Sequence, residues 1–147
     1  MAVDRARADA NRCFVCGPEN PIGLRITFKL ENGICRGTFT PGPDHAGFDT
    51  VTHGGIVFSA LDDVMANWLF LQGARAVTAK CEIRYRQPAP VGTRLALVAR
   101  LKFRKRRLCV LTATASIADT GALVAETEAS FMLEEFGALA DAESARG

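Results

Sequence analysis

Residues 56 to 69 are the segment that most limits what this chain can become. Ile56, Val57, Ala60, Leu61, Val64, Met65, Trp68 and Leu69 recur as adjacent pairs every four residues, the spacing of one helical stripe. On the same wheel the opposite face carries Phe58, Ala66 and Phe70 beside Ser59, Asp62, Asp63 and Asn67, so apolar residues reach nearly all the way round. A helix of that kind is largely buried and needs other structure on most of its sides. Gln72-Gly73 supplies its stop, because glycine is favoured just past a helix end.

The remainder of the chain supplies strands. Residues 24–30 and 34–40 roughly alternate apolar and polar about Glu31-Asn32-Gly33, a turn offering the positive φ of a tight hairpin. Pro41-Gly42-Pro43-Asp44 then breaks regular structure, and an irregular stretch containing Gly47 and Asp49 leads to His53-Gly54-Gly55. Segments 77–86, 94–104, 108–118 and 123–133 read as four successive strands, which implies an antiparallel arrangement. The expected class is α+β: a curved antiparallel sheet of about six strands wrapped around one long central helix. Residues 1–21 are expected to form an N-terminal cover, 22–136 the domain, and 137–147 a frayed tail rich in Ala with Asp141, Glu143 and Arg146.

With 147 residues, 48% of them hydrophobic, the chain has material for one core. A net charge of +2 gives no reason to expect nucleic acid or an anionic membrane as partner. No apolar run approaches the roughly 20 residues of a membrane span, and Asp4 and Asp9 argue against a targeting peptide, so a cytoplasmic protein is expected. Five cysteines, an odd number spread along the chain, fit reduced thiols. Cys13-Phe14-Val15-Cys16-Gly17 has the spacing of half a zinc site. Cys35, Cys81 and Cys109 lie in strands, however, with only His45 and His53 as further candidates, so no metal is expected.

Two features could carry chemistry. Asp62 is a carboxylate in a helix with little wet surface, and desolvating an ionised carboxylate costs several kcal/mol unless it is paired or useful. Asp63, a hundred degrees further round, is expected to reach solvent or a capping partner; both acids on one narrow wet strip is the plainer alternative. Immediately before the helix, His53-Gly54-Gly55 sets backbone N–H groups at the positive end of the helix dipole, with no side chains to block an approaching oxyanion.

The run His53-Gly54-Gly55-Ile56-Val57-Phe58-Ser59-Ala60-Leu61-Asp62-Asp63-Val64-Met65 resembles the helix entry of the acyl-coenzyme A thioesterase superfamily of hotdog proteins. The likeness is greatest to the phenylacetate-pathway-type and human thioesterase-superfamily-type branch. Ile83-Arg84-Tyr85-Arg86-Gln87-Pro88-Ala89 with Gly92, and Cys16-Gly17-Pro18-Glu19-Asn20-Pro21-Ile22-Gly23-Leu24, are similar to segments of the same branch. The resemblance implies a hotdog fold and hydrolysis of an acyl-coenzyme A to free acid and coenzyme A. No cofactor is implied beyond the coenzyme A of the substrate. It implies Asp62 as catalytic carboxylate, base or nucleophile, and Gly54 N–H polarising the carbonyl. His53 would hold that loop and touch substrate, Gly55 and Asp63 would lie beside the ligand, and Thr78 would orient water or carboxylate. Loop and acid come from different chains in this family, so a homodimer is expected, with further pairing into a dimer of dimers left open.

Gly47 stands where some members carry a side-chain amide six residues before the histidine, which leaves His45 or water as a second oxyanion donor, or none. Arg104-Lys105-Arg106-Arg107 lacks the glycine that often sits in that turn. Six of the eight residues from Arg100 to Arg107 are basic. Arg104, Arg106 and Arg107 are therefore candidates for the coenzyme A phosphates, the alternative being a solvated strand face. Two other readings stay open: a hotdog module that binds acyl-coenzyme A without turnover, and a hotdog hydratase or dehydratase.

Overall fold

The computed structural model describes residues 9–135; the expected tail, 137–147, lies outside them. In chain order the elements are β1 (Lys29–Glu31), β2 (Ile34–Phe39), a 3-10 turn (Pro43–His45), β3 (Ala46–Phe48), β4 (Val51–Thr52), α1 (Gly54–Phe70), β5 (Arg75–Tyr85), β6 (Leu95–Lys105), β7 (Leu108–Ile117) and β8 (Leu123–Glu135). Six strands form one antiparallel sheet in the order β1-β2-β6-β7-β8-β5, and β3 and β4 make a separate small hairpin. Helix α1 packs against β2, β5, β6, β7 and β8 on one face of that sheet. This is the hotdog arrangement that the sequence resemblance implies.

Small residues form the floor beneath the helix. The ladder row Ile83, Thr127, Ala113, Ala99 and Cys35 lies on the helix side, and Ala115, Ala125 and Ala129 continue it. With so little side chain below, the bulky Leu61, Met65 and Trp68 share one buried cluster with these alanines. The next row outward, Glu82, Glu128, Thr112 and Arg100, is polar, and Lys102 bonds Glu128 across it at 2.6 Å. One wet face and one dry face is the common solution for an antiparallel sheet with a single covering layer. Leu61 is fully buried on α1, so Leu61→Ala is expected to lower unfolding free energy by about 2–5 kcal/mol, read from the urea midpoint at unchanged slope.

Three local expectations change. The first hairpin turns at Asn32 and Gly33, with φ of 54° and 76°, as a two-residue turn requires. Its first strand is only three residues long, because the N–H groups of Leu24 and Ile26 donate to Phe14 O and Val15 O of the cover rather than to β2. Ile26 and Phe28 are still buried, and Gly37 makes room for Phe28: a Cβ there would lie 2.7 Å from its ring. The second change is the small hairpin β3–β4, in a stretch that reads as irregular. In the third, Arg106 takes the left-handed φ of 57° that a glycine would otherwise supply between β6 and β7. Among the described residues no helix is long and apolar enough to cross a membrane.

Candidate active site

His53 caps α1, and its Nδ1 accepts the Gly55 N–H at 2.8 Å. A neutral imidazole accepting at Nδ1 carries its proton on Nε2, so the exposed His53 offers that N–H outward. Gly55 is required by this cap, because a Cβ there would come within 3.0 Å of the imidazole ring. Tyr85 at the end of β5 donates its hydroxyl to the Gly54 carbonyl at 2.7 Å, fixing the first turn from the sheet side. The Gly54 N–H itself has no acceptor among the described residues. A donor at the positive end of a 17-residue helix, held at carbonyl and cap, has the geometry that can receive an anionic oxygen.

Asp62 lies eight residues along the helix, about 12 Å from Gly54 at 1.5 Å per residue. It is half-buried, between Phe58 and Ala66 on its helix face, and Thr78 of β5 donates its hydroxyl to Asp62 Oδ1 at 3.1 Å. Burial holds the Asp62 carboxyl above the ordinary carboxylate range, and the Thr78 hydrogen bond partly offsets this by favouring the ionised form. The folded protein therefore binds this proton more tightly than the unfolded chain. The stability gained from it is complete below the unfolded value of about 3.9 and is lost as pH rises through the higher folded value. Removing the Thr78 hydroxyl removes the hydrogen bond that lowers the Asp62 value, so Thr78→Val is expected to move the alkaline-rising limb of kcat/KM to higher pH. A pH–rate profile identical to wild type would show that the 3.1 Å contact does not govern the acid.

Asp63 is a correction. The helical wheel offers it solvent or a capping partner; only 8% of it is exposed, and it points to the N-terminal cover on another side of α1, so the solvent reading is the one that fails. Asn67 Nδ2 donates to Asp63 Oδ2 at 3.1 Å, and Cys13 Sγ stands 3.8 Å from Oδ1. The cover thus docks on the helix through Cys13 and Cys16. Burial, with the Asp63 carboxylate beside it, pushes the Cys16 thiol well up. The expected Asn-Pro turn is formed, Asn20 Oδ1 accepting the Ile22 N–H at 2.9 Å.

Gly47 packs on the histidine: a Cβ there would meet His53 Cα at 3.0 Å. His45 Nδ1 accepts the Gly42 N–H at 2.9 Å, and the ring leans on Phe39 at 5.5 Å between centroids. Both histidines, with Gly55 and Ser59, line one shallow concavity of about 290 Å³. Arg106 and Arg107 are exposed; Arg104 Nε donates to Arg106 O at 3.0 Å and Arg107 Nε to Leu133 O at 2.8 Å. Through Phe131 and Cys109, Arg104 shares a ladder row with Thr78, three strand spacings or about 14 Å away. Tyr85 was the residue missed by sequence reasoning; its signal is an aromatic hydroxyl at the end of the strand that the resemblance already marks.

Solved structures share this fold. A thioesterase superfamily protein, RHA08564, is 28% identical with a TM-score of 0.77, over 83% of this chain and 60% of that one. The PaaI protein of the phenylacetic acid degradation operon of E. coli is 23% identical with a TM-score of 0.69, over 74% of this chain and 79% of its own. A hypothetical thioesterase of Streptococcus pneumoniae, solved with coenzyme A, is 17% identical with a TM-score of 0.68, over 72% and 85%. No curated protein matches the sequence. These likenesses show a hotdog fold. The thioesterase superfamily model matches residues 50–124, slightly more than half of the chain, and the chain belongs to that superfamily.

Proposed function

We propose that the protein hydrolyses an acyl-coenzyme A as a homodimer, with Asp62 of one copy facing the Gly54 N–H of the other. The observation that carries this is the distance within one chain. About 12 Å of helix separates Gly54 from Asp62, too far for both to act on one carbonyl, so a complete site needs a second copy. The half-buried face of α1 supports it: Phe58, Asp62, Ala66 and Phe70 form a stripe that is apolar apart from the acid. So does β5, an eleven-residue edge strand that leaves Val77 and Tyr85 more than half exposed. Long uncovered edges are places where another strand pairs.

In the reaction, Asp62 takes a proton from water while the water oxygen attacks the thioester carbonyl, and negative charge gathers on the carbonyl oxygen at Gly54 N–H. The C–S bond then breaks, and the departing thiolate recovers the proton from Asp62, leaving free acid and coenzyme A. In the nucleophilic variant Asp62 attacks the carbonyl and expels the coenzyme A thiolate as the C–S bond breaks; water then opens the resulting anhydride, returning the Asp62 carboxylate and giving its proton to the thiolate. Thr78 holds the carboxylate, and His53 Nε2–H lies beside the substrate. A recess of about 220 Å³ begins one helical turn from Asp62; Ala66, Phe70, Val77 and Phe131 line it, with Arg75 and Glu134 also in its wall. That volume suits an acyl group rather than a whole ligand.

Arg104, Arg106 and Arg107 are assigned to the phosphates at the far end of the coenzyme. Replacing all three by Ala is expected to raise KM more than it lowers kcat, and unchanged kinetics would leave them as a solvated turn. The function as a whole is tested by supplying the purified protein with a panel of acyl-coenzyme A esters and a thiol reagent. Release of free thiol above background is expected for at least one ester. Tight binding with no turnover on any of them would select the non-catalytic binding module, a reading favoured by Gly47 where a second donor could stand.

A further inference from the structure

The N-terminal cover and helix α1 bring together a second set of donors that the thioesterase reading does not use. Cys13 Sγ, Cys16 Sγ and a carboxylate oxygen of Asp63 all lie within 4.8 Å of one another. We propose that these three groups bind one thiophilic divalent cation, zinc first among them, which fastens the cover to the helix.

The distances suit such an ion. With Zn–S near 2.3 Å and Zn–O near 2.1 Å, tetrahedral geometry puts ligand sulfurs about 3.8 Å apart and sulfur and oxygen about 3.6 Å apart. Cys13 Sγ to Asp63 Oδ1 is 3.8 Å, so the ion enters with shifts of a few tenths of an ångström at that pair. The Cys-x-x-Cys turn is already shaped around its first sulfur. The Cys16 N–H points to Cys13 Sγ at 3.5 Å, and Gly17 N–H donates to Cys13 O at 2.9 Å. A side chain at Gly17 would collide with Cys13 N at 2.3 Å, so the tight turn depends on that glycine.

The carboxylate is oriented from behind. Asn67, itself 4% exposed, donates Nδ2 to Asp63 Oδ2 at 3.1 Å and to the Asp63 carbonyl at 2.9 Å, which leaves Oδ1 turned to the thiols. An outer amide holding one oxygen while the other ligates is how proteins fix metal carboxylates. Zinc entering the site displaces the thiol protons to solvent, one from each cysteine that binds as thiolate, and water completes the fourth position. Cys13 and Cys16 are only partly buried, which gives the ion a way in. Asp62 lies about a hundred degrees round the helix and takes no part.

The test uses the full chain, freed of any histidine tag and kept reduced. Elemental analysis is expected to find about one zinc per chain in wild type and none above background in the Cys13→Ser/Cys16→Ser variant. Apo protein titrated with cobalt(II) is expected to develop thiolate charge-transfer and tetrahedral d–d absorption. Asn67→Ala should weaken cobalt binding about 10–100-fold while keeping the same bands. A chelator is expected to lower the wild-type Tm and leave the serine variant unmoved. Wild-type protein that retains no zinc and shows no cobalt bands when reduced overturns the proposal, even if the variants fail to fold. So does a fresh intact mass two hydrogens light, which would make the pair a disulfide.

Discussion

Asp62→Asn is expected to lower kcat/KM about 10³-fold on every acyl-coenzyme A the wild type turns over, the middle of the range for a positioned acid–base group. Asparagine keeps the shape and can still accept from Thr78 at the site of the present 3.1 Å bond, so the loss isolates the charge and its proton. Stability is expected to move the other way. Burial disfavours the ionised form of Asp62, so above the folded-state value the neutral amide should be at least as stable as wild type. A variant that loses both activity and Tm would instead mark Asp62 as part of the scaffold. A wild type no faster than the variant on any ester removes the catalytic assignment altogether.

Gly54→Pro is expected to reduce kcat about 10²–10³-fold with little change in fold, because it deletes one N–H and little else. The first position of a helix is where proline is best tolerated, since its N–H has no partner within the helix. His53, the residue before it, already has φ −57° and ψ 129°, inside the region that a following proline allows. A Cβ at this position meets the Tyr85 ring at 3.4 Å, an ordinary contact. The same variant exposes the geometry between copies. In a hybrid dimer of Gly54→Pro with Asp62→Asn, one site carries both lesions and the other carries neither. Random mixing of the two near-dead proteins should restore about a quarter of wild-type activity. Mixtures as inactive as their parents would mean that Asp62 and Gly54 serve one site within a single chain.

Much of this is legible in the sequence. The wheel of α1 demanded structure on most sides, and four late strands with an early hairpin could only supply it as a sheet. Asp62 stood out because a charge in such a helix is costly, and Thr78 entered through the family resemblance. The misreading of Asp63 has a definite cause. A helical wheel gives the angle at which a side chain leaves the axis, and says nothing of what chain waits at that angle. Cys13 arrives there from 50 residues away, and no periodicity reports such a meeting. The shortened β1 has the same origin: alternation was present in 24–28, but its hydrogen-bond partners came from residues 14 and 15. The left-handed Arg106 shows a converse limit, because a two-residue connection can impose its own φ on a residue that rarely adopts it.

Among the described residues the outer flank of β5 is bare, and this carries a cost outside catalysis. Its N–H and C=O groups along that side invite any extended peptide, and Val77 adds an apolar handle beside them. In the homodimer proposed above that flank is covered, so a newly made chain is at risk until it meets a sibling. Expression at low copy number or dilution in vitro should favour aggregation with unrelated strands over correct pairing, and the sequence offers charged Lys80, Glu82 and Arg84 along that strand as its guard against doing so.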